Sequence, residues 1–353
     1  MGETRLGSMF PLESPSPRRN GFLKDIGSDL HYFMSGRCAL YACLLDAKSK
    51  NEDNIAYVPA YTCETVLASY EKAGYTLRFY DVDAKELTPL FKREDLAGVT
   101  VLNLCGYYGF SRYDEQFLGL CKEQGVTILQ DTTHSVFSRD GHSPFADYWA
   151  GSLRKWMGVA CGGVGIKKEG VFSINSKVPD EKHLEGRYLA MEHRKQALES
   201  GDATYDILAG EVFWETEMRL REMFDVYGSD LLSRRIIESL NIDALVKRRR
   251  DNYETVITHY RPSSQCQAIF PRLDDKTCPS HFSWYSEDRN RAQQFLLDHG
   301  IRSTVYWPKP PQLPNVKKYP HANWIYDSVV SVQIDQRYTA EDMEYLGKTL
   351  SQM

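Results

Sequence analysis

Three short segments hold the residues best suited to chemistry. They are Gln130-Asp131-Thr132-Thr133-His134, Gly151-Ser152-Leu153-Arg154-Lys155-Trp156 and Gly162-Gly163-Val164-Gly165. The first sets an acid at the end of an apolar run, residues 126–130, and in open α/β sheets ligands bind outside the carboxyl ends of strands. In the second, Lys155 follows Ser152 in a Ser-x-x-Lys arrangement. A lysine amine can form a Schiff base, an acid can keep a pyridine nitrogen protonated, and hydroxyls and amides can hold a phosphate. A pyridoxal phosphate enzyme needs that set. Each part has a blander reading: an Asp after a strand is often a turn or helix cap, and one lysine in a polar loop is a solvated charge. Ser-x-x-Lys also marks penicillin-binding enzymes, but their Ser-Asp-Asn and Lys-Thr-Gly elements are absent. The order of the parts along the chain favours cofactor chemistry.

These residues need a frame, and the flanking pattern supplies one. From about residue 35 to 168, short apolar strands (55–59, 77–81, 99–104, 126–130, 147–151 and 163–166) alternate with amphipathic helices (39–47, 63–73 and 114–124). Gly125 ends the last helix as a C-terminal glycine does. Nearly all-apolar strands alternating with helices predict a buried, mostly parallel sheet. Residues 1–30, rich in Pro, Ser and Gly, read as an N-terminal arm. Residues 31–175 read as the large, ligand-binding domain and 176–230 as a helical excursion, with helices at 180–200 and 208–224. Residues 231–353 read as a smaller α/β C-terminal domain. There the pattern predicts helix through 231–259, at 288–299 and at 340–351, and strands at 268–271, 301–306 and 328–334.

Composition narrows the function classes. The chain has 353 residues, 42% hydrophobic and 26% charged, which is globular and long enough for two domains. A net charge of -5 gives no footprint for nucleic acid. No window is long and apolar enough for a membrane helix, and the N-terminal segment lacks the apolar stretch of a signal peptide. The eight cysteines are scattered without C-x-x-C spacing, which fits reduced core thiols in the cytoplasm and no metal site.

The motifs together resemble the DegT/StrS family of sugar aminotransferases, which are fold-type-I pyridoxal phosphate enzymes. Ser35-Gly36-Arg37-Cys38-Ala39-Leu40 is similar to the family's Ser-Gly-Thr-x-Ala-Leu turn, and Val58-Pro59-Ala60-Tyr61-Thr62 to its Val-Pro-x-x-Thr segment. Tyr80-Asp81-Val82-Asp83 and Asn103-Leu104-Cys105-Gly106 resemble two strand ends, and Asp131-Thr132-Thr133-His134 matches the Asp-x-x-His/Gln element. Gly300-Ile301 and Tyr306-Trp307-Pro308 match the small-domain pattern. The resemblance implies that Lys155 forms the Schiff base, that Asp131 keeps the pyridine nitrogen protonated and that His134 contacts the ring or its phenolic oxygen. It gives the phosphate to Gly36, to the amides of Arg37 and Cys38, and to Ser152. It puts Cys63 where the family has a ring-stacking aromatic, with Tyr61 or Tyr107 as substitutes. Ser229 falls where the neighbouring subunit of a homodimer donates to the phosphate.

The implied activity is transfer of an amino group, with glutamate as donor, to a keto sugar that carries a nucleotide or to another polar carbonyl metabolite, in sugar or polysaccharide biosynthesis. Two alternatives stand beside it. Sugar dehydratases of the same family replace the lysine with His, and a regulatory protein could keep the fold without turnover. The remaining candidates read as structural. His31, His259 and His299 are surface or capping residues, and Lys247-Arg248-Arg249-Arg250 is a solvated face. Trp156 is core packing, and Gly162-Gly163 permits close backbone approach, since no G-x-G-x-x-G is present.

Overall fold

A computed structural model describes residues 5–48, 53–313 and 316–353. The chain is mixed α/β and divides into two compact units. One joins residues 9–48 to 147–241, and the other joins the described parts of 2–8, 49–146 and 242–353.

In the first unit three antiparallel strands run in the order Asp29–Phe33, Gly163–Lys167, Tyr148–Ser152. The register pairs Phe33 and Ser152 each with Gly163. The helix Gly36–Ala47 starts three residues after the first strand and buries Cys38, Ala39, Ala42 and Cys43. Cys38, Ala39 and Ala42 share a core with Phe33, Met34, Cys161, Leu220, Phe224 and Val226. Leu220 belongs to the helix Ala203–Met223, which with Glu181–Ser200 makes a helical hairpin. Gly201, at φ 70°, ends the first of these helices, and the Asp202 carboxylate caps the second through the Thr204 N–H at 2.8 Å.

In the second unit the parallel strands run Thr127–Asp131, Val99–Cys105, Ile55–Pro59, Thr76–Val82, with a short antiparallel edge at Pro89–Leu90. Burial is nearly continuous along Ile55–Pro59, Val99–Cys105 and Thr127–Asp131, as a parallel sheet covered on both faces requires, and breaks only towards the edge, in Thr76–Val82. A separate antiparallel sheet runs Val329–Gln333, His281–Tyr285, Gln267–Ala268. The helices Ile242–His259, Arg289–Asp298, Pro320–Ser328 and Ala340–Leu350 complete the unit.

Several expectations change. The arm at 1–30 contains the start of the strand Asp29–Phe33, which the Pro- and Gly-rich context hid. The helix expected through 231–259 is two helices, Leu231–Glu238 and Ile242–His259, because Ser239 caps the first with N–H bonds to the Ile236 and Ile237 carbonyls. The strand expected at 301–306 reduces to single bridges, Ile301 to Leu6 and Thr304 to Ser331. Arg249 is not on a solvated face. It is fully buried and donates to the Ser280 carbonyl and, at 3.0 Å, to Gln336 Oε1, so its charge is spread over two acceptors. His299 does cap its helix, with Nδ1 2.8 Å from the Phe295 carbonyl, and Trp156 is fully buried. The cysteines are free, and all but Cys63 are buried. Among the described residues there is no metal-holding cluster and no helix long and apolar enough to cross a membrane.

Candidate active site

In the first unit the backbone builds a tight cradle. Ser35 is the N-cap of the helix Gly36–Ala47, and its hydroxyl accepts the Cys38 N–H at 3.2 Å. The Cys38 amide, expected on the phosphate, is therefore engaged by the cap, while the first helical residues, Gly36 and Arg37, carry N–H groups that no turn of helix can satisfy. Gly36 sits hard against the end of the strand Tyr148–Ser152, where an added Cβ would stand 2.9 Å from Ser152 Cβ. A Cβ on Gly163 would stand 2.1 Å from the Ser35 carbonyl oxygen, and one on Gly162 2.7 Å from the Arg154 nitrogen. At Gly163 and Gly162 a side chain would collide with backbone, and at Gly36 one fits only if the helix start shifts. Lys155 ends the single turn Leu153–Lys155 that follows the strand directly. Helix N-terminus, Ser152 and the lysine-bearing turn are thus neighbours, and their donors fit a phosphate ester.

Arg37 is nearly buried, and its guanidinium lies over the Phe224 ring, 5.2 Å from the centroid. Ser229 lies elsewhere in this unit, on the rim of an open cavity of about 430 Å³ that Lys177 and Arg234 also line. Its N–H donates to the Tyr32 carbonyl and its hydroxyl to the Asp230 carbonyl.

The second unit holds the acid. Asp131 ends the strand Thr127–Asp131 in register with Cys105, and its Oδ1 accepts the Thr133 N–H at 2.9 Å. Burial raises its pKa above the ordinary carboxyl value, and the bonds from Thr133 only partly oppose this. A desolvated carboxylate gains from a cationic N–H, which is what a protonated pyridine nitrogen offers.

His134 is 1% exposed and lies parallel to the Trp307 ring, with centroids 5.4 Å apart and planes 12° apart. Tyr108 stacks on it at 5.6 Å and Tyr306 meets it edge-on at 4.9 Å. Tyr108 itself takes φ 57°, an uncommon backbone for a bulky residue, and its hydroxyl is 2.7 Å from the Tyr61 hydroxyl. Tyr61 and Tyr107 stack on one another and are buried, with the Tyr107 hydroxyl donating to the Tyr61 carbonyl. Both rings are thus spent on internal packing. Cys63 caps the helix Glu64–Lys72 and accepts from the Thr65 hydroxyl at 3.1 Å. Trp307 and Tyr108 carry no site signal of their own in the sequence analysis. The Tyr-Trp-Pro run was the available signal for the first of them.

No family model and no curated protein matches this sequence. Solved structures do. Helicobacter pylori PseC, an aminotransferase involved in the biosynthesis of pseudoaminic acid, is similar over 99% of both chains, with a TM-score of 0.70 and 12% identity. A DegT DnrJ EryC1 StrS aminotransferase from Brucella abortus is similar over 93% of this chain and 88% of its own, with a TM-score of 0.65 and 14% identity. Spr1654 from Streptococcus pneumoniae, in its PLP form, is similar over 99% and 93%, with a TM-score of 0.65 and 15% identity. The chain has their fold.

Proposed function

We propose that this chain is a pyridoxal phosphate-dependent aminotransferase that moves an amino group from glutamate to a keto sugar carrying a nucleotide. One observation carries the reading: Lys155 on the turn after Ser152, with Ser152 packed on the N-terminus of the helix Gly36–Ala47. The fold shared with sugar aminotransferases supports it. The bound cofactor would supply an electron sink that stabilises the carbanion formed when the donor loses its α-proton.

The chain's own residues do the rest. Gly36, Arg37 and Ser152 hold the phosphate. Asp131 keeps its charge against the pyridine nitrogen, and His134, locked by Trp307 and Tyr108, contacts the ring. Lys155 would hold the cofactor through Nζ and would move a proton at that atom. Lysine at this position, in place of His, supports transamination over dehydration.

The reading includes a homodimer in the cytoplasm, with Ser229 donated to the partner's site. Val178 and Leu231, near Ser229 in the chain or on the cavity wall, are 83% and 61% exposed, apolar surface that a second copy would cover. Two measurements test the proposal. Purified protein should be yellow and lose its colour on adding glutamate. Mixing Lys155→Ala chains with Ser229→Ala chains should restore activity, because one hybrid site keeps both residues. A colourless protein that binds no cofactor would refute the enzyme reading, and a monomer at micromolar concentration would refute the shared site.

A further inference from the structure

The helical hairpin carries a charge imbalance that the reaction above does not use. Glu217 Oε1 accepts from Arg187 Nη2 and, at 3.1 Å, from Arg154 Nη1. One carboxylate therefore serves two guanidinium groups, and Lys155 acts on it as a third positive charge. Burial alone would raise the Glu217 pKa, but Arg187, Arg154 and Lys155 override it and hold the carboxyl well below its usual range. The Arg187 side chain is 3% exposed, and burial and then repulsion from Arg154 bring its pKa down to about 10.

A second observation points to a ligand. His183, one turn before Arg187, is fully buried, and neither ring nitrogen has a hydrogen-bond partner. The Nε atoms of Arg187 and Arg154 are buried without one as well. Burial, then Arg187 and Arg154, bring the His183 pKa down to about 3, so at neutral pH the ring can donate one bond without adding charge. Unmade donors around an uncompensated positive charge are costly in a folded chain, and an anion would satisfy both deficits. Arg154 and Glu217 keep 19% and 24% side-chain exposure, so the edge of the cluster meets solvent.

We propose that Arg154, Arg187 and His183 form an oxyanion subsite beside Lys155, separate from the phosphate cradle at Gly36 and Ser152. It takes a carboxylate or phosphate group of a substrate, from the amino donor or from the nucleotide of the acceptor. Guanidinium forks suit either group. Assigning the anion to a substrate rests on the aminotransferase reading; anion binding itself does not.

The test is calorimetric titration of the full, cofactor-free chain with glutarate, UDP and inorganic phosphate at low salt. Glutarate or UDP should bind saturably, glutarate identifying the donor and UDP the acceptor as the source. Arg154→Gln should weaken binding by about tenfold, and Glu217→Gln, which releases both guanidinium groups, should tighten it by about tenfold. The anion should also raise the melting temperature of Glu217→Gln, whereas a purely structural ion pair would leave that variant destabilised and indifferent to anions. No saturable binding by any of the three, or binding unchanged in both variants, overturns the proposal. So does phosphate binding that pyridoxal phosphate displaces one for one, since the anion would then be the cofactor's. A chain that binds glutarate but takes up no coloured cofactor keeps the subsite and loses the aminotransferase reading.

Discussion

The region around Lys155 and the region around Asp131 are built by different means. The first is made of backbone: Gly36, Gly162 and Gly163 let strand ends and a helix start approach to distances that any side chain would block. The second is made of rings: His134 is held by Trp307, Tyr108 and Tyr306 rather than by a main-chain cradle. A phosphate is bound by amides and hydroxyls that must come close. A pyridine nitrogen is tuned by an acid that burial has partly stripped of water. The contrast teaches that the same cofactor would ask for close approach of the main chain in one place and for a partly buried acid and packed rings in the other.

The largest effect that would break this comparison is at Lys155. Lys155→Ala should remove the visible cofactor band and lower turnover by about 10⁴-fold, with the fold intact by circular dichroism. Retained colour, with borohydride fixing the cofactor to another residue, would move the chemistry elsewhere. Asp131→Asn comes next, with turnover reduced on the order of 10³-fold because a neutral amide cannot keep the pyridine nitrogen protonated.

The same variant probes the burial of the Asp131 carboxyl. The folded pKa of Asp131 is raised, so its contribution to stability is fully present below the ordinary value of 3.8 and is lost as the pH rises through the folded value. At pH 7 the cofactor-free Asp131→Asn chain should melt about 2–4 °C above the unsubstituted one, with the gap closing towards pH 4. A lower melting temperature at pH 7 would mean the carboxylate is well satisfied in the fold.

Gly36→Ala probes the backbone side. Its Cβ would meet Ser152 Cβ at 2.9 Å and the Gly151 carbonyl at 3.2 Å, so the helix start must shift by a few tenths of an ångström. Cofactor affinity should fall about tenfold and the melting temperature by about 3 °C. Unchanged affinity would exclude this helix from the phosphate site.

A pH-dependent effect is expected at His183, whose folded pKa of about 3 lies below the ordinary 6.5. The stability it contributes is present above pH 6.5 and is lost as the pH falls from there towards 3. His183→Asn should therefore lose less melting temperature than the unsubstituted chain between pH 6.5 and 4. Parallel curves would show that the ring charges freely in the fold.

The sequence on its own determined the catalytic candidates and the parallel strands, and the reason is local. Asp131 sits at a strand end and Lys155 on the turn after one, both announced by apolar runs, and Gly125 and Ser35 mark helix boundaries through their own backbone chemistry. Ser152 was identifiable for the same reason, three residues from the lysine it accompanies. Tertiary structure alone decided what depends on residues far apart in the chain. Arg249 reads as one of four surface cations, yet Ser280 and Gln336, 31 and 87 residues away, make it a core group. His134 reads as a ring contact, but its locking by Trp307 joins segments 173 positions apart, counting from 134 to 307. Residues 301–306 carry strand pattern, but they form only isolated bridges, at Ile301 and Thr304, so the run stays irregular. Arg187, Glu217 and His183 gave no signal at all, because in sequence they are ordinary residues of two charged helices. Burial turns them into a cluster, and burial is set by how the hairpin packs, which no single helical period encodes.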